Sequence, residues 1–497
     1  MFQFFKKYHR WGGIILVFFL VMFSFSGIIM NHRETFSGLS IPRNLLPEEY
    51  QHHHWNLGTF RATEKISSDS ILIYGTMGIW LTNSTLSSFK DFCVGFPKGI
   101  DHRKIFKIHQ TNSGEIFAGT QFGLYQLKNQ SWKKVYLPMN NAPVVDLLTV
   151  NDTLYVLSRS YLFLSTDKIN FQKISLPAPE GYDHKVGLFK TLWVIHSGEI
   201  YGKIGKLFVD LGGIIFIILS VGGLWMYIIR TNLKRKEPVT DRKKLKKTFK
   251  FNFKWHKKTG VITIVFLLIT TITGIFLRPP LLVAIASARV GKIPFTALDT
   301  PNPWYDILRR IHYLPEEKKF MLITQDHFYE ADSGLGNIKL FKTQPPFSVM
   351  GVNVLRPVDS NKLQIGSFMG IYEWNYKTGE VTNLLTGKPW HKPKKKASPV
   401  GEWKIMGYSD DVAPGRIYFD YDKGSLMPLS EVNIPDMPEI VKNTPLSLWN
   451  FSQEIHTGRI YRFFLGDFYI LVVPLTGIFV ILCLLTGFYM WNKLRKR

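Results

Sequence analysis

The sequence predicts a membrane protein: a four-helix transmembrane bundle made of two tandem repeats, carrying two β-rich, propeller-like inserts. Three observations lead there. Four runs, Trp11–Met30, Leu211–Ile229, Gly260–Leu277 and Phe468–Trp491, hold no charged residue and are 18 to 24 residues long, the length that crosses a hydrocarbon layer of about 30 Å. The first and third runs open and close on matching residues, and so do the approaches to the second and fourth. Cations gather at the same end of every run.

The first copy begins Tyr8-His9-Arg10-Trp11-Gly12-Gly13 and closes its apolar run at Ser26-Gly27; the second begins Trp255-His256-Lys257-Lys258-Thr259-Gly260 and closes at Thr273-Gly274. The offset is a constant 247 residues for His9/His256, Gly13/Gly260 and Gly27/Gly274, which is an internal repeat. Ile195-His196-Ser197-Gly198 is matched by Ile455-His456-Thr457-Gly458 at an offset of 260, and Gly213 and Gly223 match Gly477 and Gly487 at 264. The second copy therefore holds four more residues, about one helical turn.

In chain order, residues 1–30 form the first span. Lys6, Lys7 and Arg10 precede its apolar core as in a secretory signal, but no small-residue cleavage site follows and the run recurs in mid-chain, so it reads as a retained anchor. Residues 31–195 are the first insert, 196–230 the second span with its approach, 231–255 a basic loop, 256–278 the third span, 279–455 the second insert, and 456–497 the fourth span with a basic tail.

The net charge of +25 suggests nucleic acid until it is located. Arg230–Lys258 holds 13 Lys/Arg against Glu237 and Asp241, and both termini add more. With alternating helices these segments share one side, the positive-inside pattern. The expectation is a membrane protein with cytoplasmic termini, inserts on the outer side, contact with lipid and no nucleic-acid partner. Cys93 and Cys483, in an insert and a span, exclude an internal disulfide, a Cys-based zinc site and an iron–sulfur cluster.

Both inserts repeat one short pattern, a strand, a turn and a strand, with Gly before an aliphatic–aromatic pair. Ile71–Trp80, Ile116–Tyr125 and Leu363–Tyr372 carry it clearly; Thr153–Leu164, Phe320–Glu330 and Ile417–Leu426 carry it more loosely. A spacing near 40 residues suits propeller blades. Three units in each insert close into one propeller, or form two separate sheet domains. Lys392–Lys396, beside prolines, reads as a loop.

Histidine is the residue the repeat singles out. His9 and His256 stand at one end of the first and third spans, and His196 and His456 lead into the second and fourth at the other end. A lone histidine near a membrane surface usually snorkels to water. Four at repeat-matched positions, two at each level, suit two six-coordinate b-type haems, since neutral imidazole is a strong axial ligand and bundles build cofactor sites from facing side chains. A proton relay would bring Asp or Glu into the spans, which hold none. His32 is an alternative outer ligand without a counterpart in the second copy, where Pro279 falls. His52-His53-His54 reads as a solvated linker. Helix continuous from His196 to Trp225 would be roughly 43 Å long, so the outer histidines either stand above the bilayer or follow a bend near Gly202 and Gly205.

His-Arg-Trp-x-Gly with its apolar run and Ser/Thr-Gly, together with Ile-His-Ser/Thr-Gly and a closing Gly-x-x-Met helix, resembles the PepSY-associated transmembrane helix family. The resemblance covers the spans and their histidine approaches, and not the inserts. It implies an inner-membrane haem reductase of ferric siderophores, with His9, His196, His256 and His456 as haem ligands. Partners would be a ferric siderophore or periplasmic iron-binding protein, and a membrane quinol or separate reductase as electron donor, since the cytoplasmic segments are too short for a flavin or nicotinamide domain. The competing expectation is a membrane-anchored sensor or partner-binding module without redox activity.

Overall fold

The computed structural model describes residues 2–139, 142–234, 241–392, 401–413, 415–426 and 434–495. Most of the expected Lys392–Lys396 loop, and the tail residues Lys496 and Arg497, lie outside these. The chain divides into a helical unit (Met1–Phe36, His184–Asp299, Leu448–Arg497) and a β-rich unit (Ser37–Asp183, Thr300–Ser447).

The helical unit is built from α1 (Phe2–Asn31), α2 (Leu188–Ser197), α3 (Gly202–Lys234), α4 (Arg242–Phe276), α5 (Leu448–His456) and α6 (Val472–Arg495). Four segments among the described residues are long and apolar enough to cross a membrane: Phe2–Asn31, Glu199–Lys234, Arg242–Phe276 and Arg459–Arg495. Their outward residues, among them Ile15, Phe18, Ile218, Val265 and Phe479, are exposed apolar side chains, a surface that suits lipid and not water. Inside, Leu16, Phe216, Leu267 and Val480 meet at the centre, one from each long helix.

Two boundaries differ from the sequence expectation. Residues 242–255, expected as part of a basic loop, are the first turns of α4. Asp241 caps them by accepting from Lys244 N at 3.0 Å, and with no Gly or Pro before Gly260 the helix continues unbroken. At 35 residues, α4 spans about 52 Å, well beyond an apolar layer of about 30 Å, so its basic start projects past it. Likewise, the ends expected for the two inserts are helical: α2 and α5 belong to the helical unit.

The long helix expected from His196 to Trp225 is interrupted. The α2 helix stops at Ser197, Gly198 adopts a left-handed φ of 78°, and a short 3-10 turn leads to α3. Only glycine fits here, because a Cβ at Gly198 would lie 2.1 Å from the Gly205 carbonyl oxygen. Gly458, with φ 74°, makes the same stop after α5. There the four extra residues appear as an added turn, Arg462–Leu465, before α6. The bend falls close to Gly202 as expected, a few residues earlier.

In the β-rich unit the six sequence motifs are hairpins of five sheets: four are central to four-stranded sheets of their own, and the first and last share one seven-stranded sheet. Ser70–Gly75 turns into Gly78–Thr82, Ile116–Thr120 into Gly123–Lys128, and Lys362–Ser367 into Gly370–Asn375. The glycine of the motif is explained: Gly78, Gly123 and Gly370 have φ of 102°, 124° and 116° at the tight turns. The strands that lead into the six hairpins are β1 (Ala62–Ser67), β2 (Ile105–Gln110), β3 (Val144–Val150), β4 (Leu308–Leu314), β5 (Val354–Pro357) and β6 (Ile405–Ser409). Successive sheets share cores. Leu72 and Tyr74 pack with Ile105 and Ile108, Phe117 with Val144, Leu157 with Leu308, Ile323 with Ile365, and Ile371 with Ile405. The last hairpin returns to the first: Ile417 and Phe419 pack with Ile71 and Ile73, and one parallel pair, Ala62 with Tyr408, joins β6 to β1 in a single seven-stranded sheet. The His52–His54 linker is not solvated throughout. His52 is buried, with Nδ1 donating to the Lys442 carbonyl at 3.0 Å, while His53 and His54 are exposed.

Candidate functional site

The four histidines meet in two pairs. His9 of α1 faces His256 of α4 with ring centroids 6.3 Å apart, and His196 of α2 faces His456 of α5 at 5.9 Å. The rings of each pair come from segments more than 240 residues apart.

Each ring rests on a glycine of another helix. A Cβ would lie 3.0 Å from His9 Cε1 at Gly487, 3.6 Å from His256 Cε1 at Gly223, 2.8 Å from His196 Cε1 at Gly274 and 3.1 Å from His456 Cε1 at Gly27. The carbonyl four residues before that glycine then meets the ring. His9 Nδ1 lies 3.0 Å from Cys483 O, His196 Nδ1 2.9 Å from Thr270 O, and His456 Nδ1 3.0 Å from Phe23 O. The hydroxyl just before the glycine adds a second contact: Thr486 Oγ1 at 3.3 Å from His9 Nδ1, Thr273 Oγ1 at 3.4 Å from His196 Nδ1, and Ser26 Oγ at 3.1 Å from His456 Nδ1. For His256 the residue before Gly223 is Gly222, which has no hydroxyl; the Leu219 carbonyl, four residues before Gly223, is the backbone group that approaches this ring, more loosely than at the other three seats. The Ser/Thr-Gly motif that closes the first and third spans is thus the seat for an outer histidine from the opposite half of the chain.

This seating decides the tautomer. A carbonyl can only accept, so Nδ1 carries the proton in His9, His196 and His456, and a neutral ring then keeps its lone pair on Nε2. Among the described residues no hydrogen bond uses Nε2 of any of the four rings. An imidazole anchored through Nδ1–H to a carbonyl, with Nε2 free, is the arrangement that orients histidine metal ligands.

The residues present fit a flat, iron-centred cofactor. Two metal–imidazole bonds of about 2.0–2.1 Å, plus the half-widths of two rings, come to roughly 6 Å, close to both centroid separations. A cavity of about 560 Å³ surrounds His9 and His256, walled by Gly13, Gly223, Gly260 and Gly487 among apolar side chains, with Lys6, Arg10, Arg230 and Lys257 also lining it. Arg10 Nε is buried there without a partner. No group of three or more His, Cys, Asp or Glu side chains placed to hold a metal ion occurs among the described residues; each pair offers two imidazoles.

The outer pair is level with the apolar runs, since His196 sits on Gly274 and His456 on Gly27. From His9 to Gly27 along α1 is about 27 Å, with Leu16 between the levels.

His32 is engaged elsewhere: its Nε2 lies 2.6 Å from Asp210 Oδ2, and Asn31 Nδ2 donates to Asp210 Oδ1 at 2.8 Å and to Ser197 O at 3.2 Å. It is not part of the outer pair. Asp210 is a buried acid in a membrane-length helix that sequence reasoning missed, because it stands one residue outside the uncharged run Leu211–Ile229. The signal was present as a joint loss. At the repeat offsets, His32 and Asp210 correspond to Pro279 and Pro474, so the second copy lacks both partners.

Fold and site together define a membrane protein with four spanning helices, two facing histidine pairs and a large β-rich unit. The chain belongs to the family described as the PepSY-associated TM region, which matches residues 7–493. Comparison with curated proteins finds no relative. Among solved structures the chain is similar to the extracellular domain of BT4673 from B. thetaiotaomicron, at 10% identity and TM-score 0.34, covering 76% of this chain and 39% of that one. A Bacteroides thetaiotaomicron structural genomics protein of unknown function matches at 8% identity and TM-score 0.35, covering 74% and 69%. The N-terminal domain of Nup159 matches at 9% and 0.30, covering 78% and 93%. The chain spans 39% and 40% of the first two solved domains it matches. Likeness this weak assigns no function.

Proposed function

We propose that the chain is a dihaem electron-transfer protein of the bacterial inner membrane. One haem b would be held between His9 and His256 and a second between His196 and His456, and ferric complexes such as siderophores would be reduced at the periplasmic face for iron acquisition. The observation that carries this reading is the common seating of four imidazoles, each on a glycine, in two facing pairs. Haem b, when bound, supplies reversible one-electron exchange. The protein's residues do the rest: the Nδ1 contacts orient the rings, the glycines make room, Leu16, Phe216, Leu267 and Val480 keep water from the middle of the bundle, and Arg10 and its neighbours balance acidic substituents. Electrons come from a membrane quinol or a separate reductase. The matched seats support reading the helical unit as a tandem repeat, and the joining of the last hairpin to the first supports a propeller of six blade-like units.

The test is optical. The full chain purified from haem-replete cells should carry a Soret band and a reducible α-band of b type, with two haems per chain. His9→Ala and His456→Ala should each remove about one of the two. A colourless protein would refute the reading and leave a sensor or partner-binding module held by membrane helices. A coloured protein from which neither change removes haem would reject the site assignment.

A further inference from the structure

Charge gathers in the β-rich unit where the first strands of the sheets meet. In β2, β3, β4 and β6 the ladder slips just after the first residue, at Ile105/Lys107, Val144/Asp146, Leu308/Arg310 and Ile405/Gly407. A bulge of this kind re-aims the residue that follows it. In three consecutive sheets that residue is charged: Lys107, Asp146 and Arg310. Arg61, which enters β1, joins them, as does Glu64 of β1.

The members differ in how far their hydrogen-bonding capacity is met. Arg310 is fully engaged: Nη1 donates to Asp146 Oδ1 at 3.2 Å, Nε to Val352 O at 3.2 Å and Nη2 to Asn353 O. Asp146 also accepts from Ile311 N at 3.0 Å. Glu64 Oε1 accepts from Gln110 N at 2.7 Å, and burial pushes its carboxyl above the usual carboxylate range. Arg61 donates from Nη2 to Asn353 Oδ1 at 3.1 Å, but its Nε is buried with no partner. Lys107 makes no hydrogen bond and no ion pair among the described residues. Lys107 and Arg61 are both half-buried. Tyr74, Glu64 and Asp146 lie close enough to Lys107 to favour its charged form, but none of them hydrogen-bonds to it, so its three donors stay open to a ligand.

We propose that the convergence of these strands is an oxyanion-binding site, in which Lys107 and Arg61 take a carboxylate or phosphate group beside the fixed Arg310–Asp146 pair. The site lies within the β-rich unit, and its existence does not depend on the reading of the histidine pairs. Three cations (Lys107, Arg61 and Arg310) against two acids (Asp146 and Glu64) leave the cluster positive, which suits an anion. Lys107 supplies mobile donors, and Arg61 Nε a directed one.

Citrate and inorganic phosphate, titrated calorimetrically into the purified full chain in detergent, separate the two sources of this chemistry. At least one should bind saturably, with tighter citrate marking a carboxylate ligand and tighter phosphate a phosphate one. Lys107→Met should weaken binding by roughly tenfold or more, as loss of a charged hydrogen bond does, whereas Lys107→Arg should retain most of it. Arg61→Gln should weaken it independently, and stands in for Lys107→Met should that variant fail to fold. Failure of both oxyanions to bind the unaltered chain overturns the proposal, as does unchanged affinity in a folded Lys107→Met or Arg61→Gln.

Discussion

Replacing the seat glycines by alanine tests the histidine geometry one ring at a time. A Cβ at Gly274 would stand 2.8 Å from His196 Cε1 and 3.2 Å from its Nδ1, whereas at Gly223 the nearest atom, His256 Cε1, is 3.6 Å away. Carbon atoms are comfortable at about 3.5–4.0 Å, so Gly223→Ala adds a methyl group into ordinary contact. Gly274→Ala requires His196 to retreat by most of an ångström, and it cannot do so while holding Thr270 O at 2.9 Å. Overpacking of this kind costs about 1–3 kcal/mol, and the lost hydrogen bond about 1 more. Together that is roughly thirtyfold to a thousandfold in the affinity of the outer pair for its cofactor. Helix propensity works the other way, since alanine in a helix interior is better than glycine by about 1 kcal/mol. A loss of haem from Gly274→Ala would therefore not be general instability. The measurement is the haem-to-protein ratio of the full chain, with the low-spin bis-imidazole EPR signal and thermal unfolding alongside. Gly274→Ala should lose one haem and Gly223→Ala none, with Gly487→Ala and Gly27→Ala between. Equal loss at Gly274 and Gly223, or no loss at Gly274, would refute the seating argument.

Arg10→Ala should make the haem beside His9 exchange faster with added apomyoglobin, and the effect should vanish for haem dimethyl ester, which lacks carboxylates; identical rates with both would remove Arg10 from any such role. Asp146→Asn leaves the Arg310 guanidinium buried without its carboxylate and should cost about 3–5 kcal/mol, seen as a clear drop in the unfolding temperature; a drop too small to measure would contradict the burial of that pair. Acid should destabilise the β-rich unit: burial, aided by Arg43, lowers His52 from 6.5 to about 3, and burial, aided by Lys107, lowers His109 to about 4. Both are neutral in the fold, so the unfolded chain takes up their protons first. Their contribution is complete above about pH 6.5 and is lost as pH falls toward 4, several kcal/mol in all. His52→Gln should flatten that slope between about pH 7.5 and 4.5, and an unchanged slope would exclude His52 as a source.

The sequence by itself determined the features whose signal is local. An uncharged run of 18 or more residues is a membrane-length helix wherever it occurs, and a glycine before an aliphatic–aromatic pair marks a tight hairpin because only glycine takes that φ cheaply. The six hairpins, the four apolar helices and the family were legible for that reason. The start of α4 was misread because its arginine and lysines carry charge without the breaks that end a helix. Only the tertiary structure decided which ring faces which, that Ser26-Gly27 serves His456 and not a residue of its own half, and that His32 belongs to Asp210. It also decided that Lys107, Asp146 and Arg310 share one neighbourhood. These are contacts between segments separated by tens to hundreds of residues. Periodicity along a chain records which face a side chain takes, but not what stands opposite it. That partner is chosen by helix crossing and sheet order, where glycines let two backbones approach and a carbonyl happens to face a ring nitrogen.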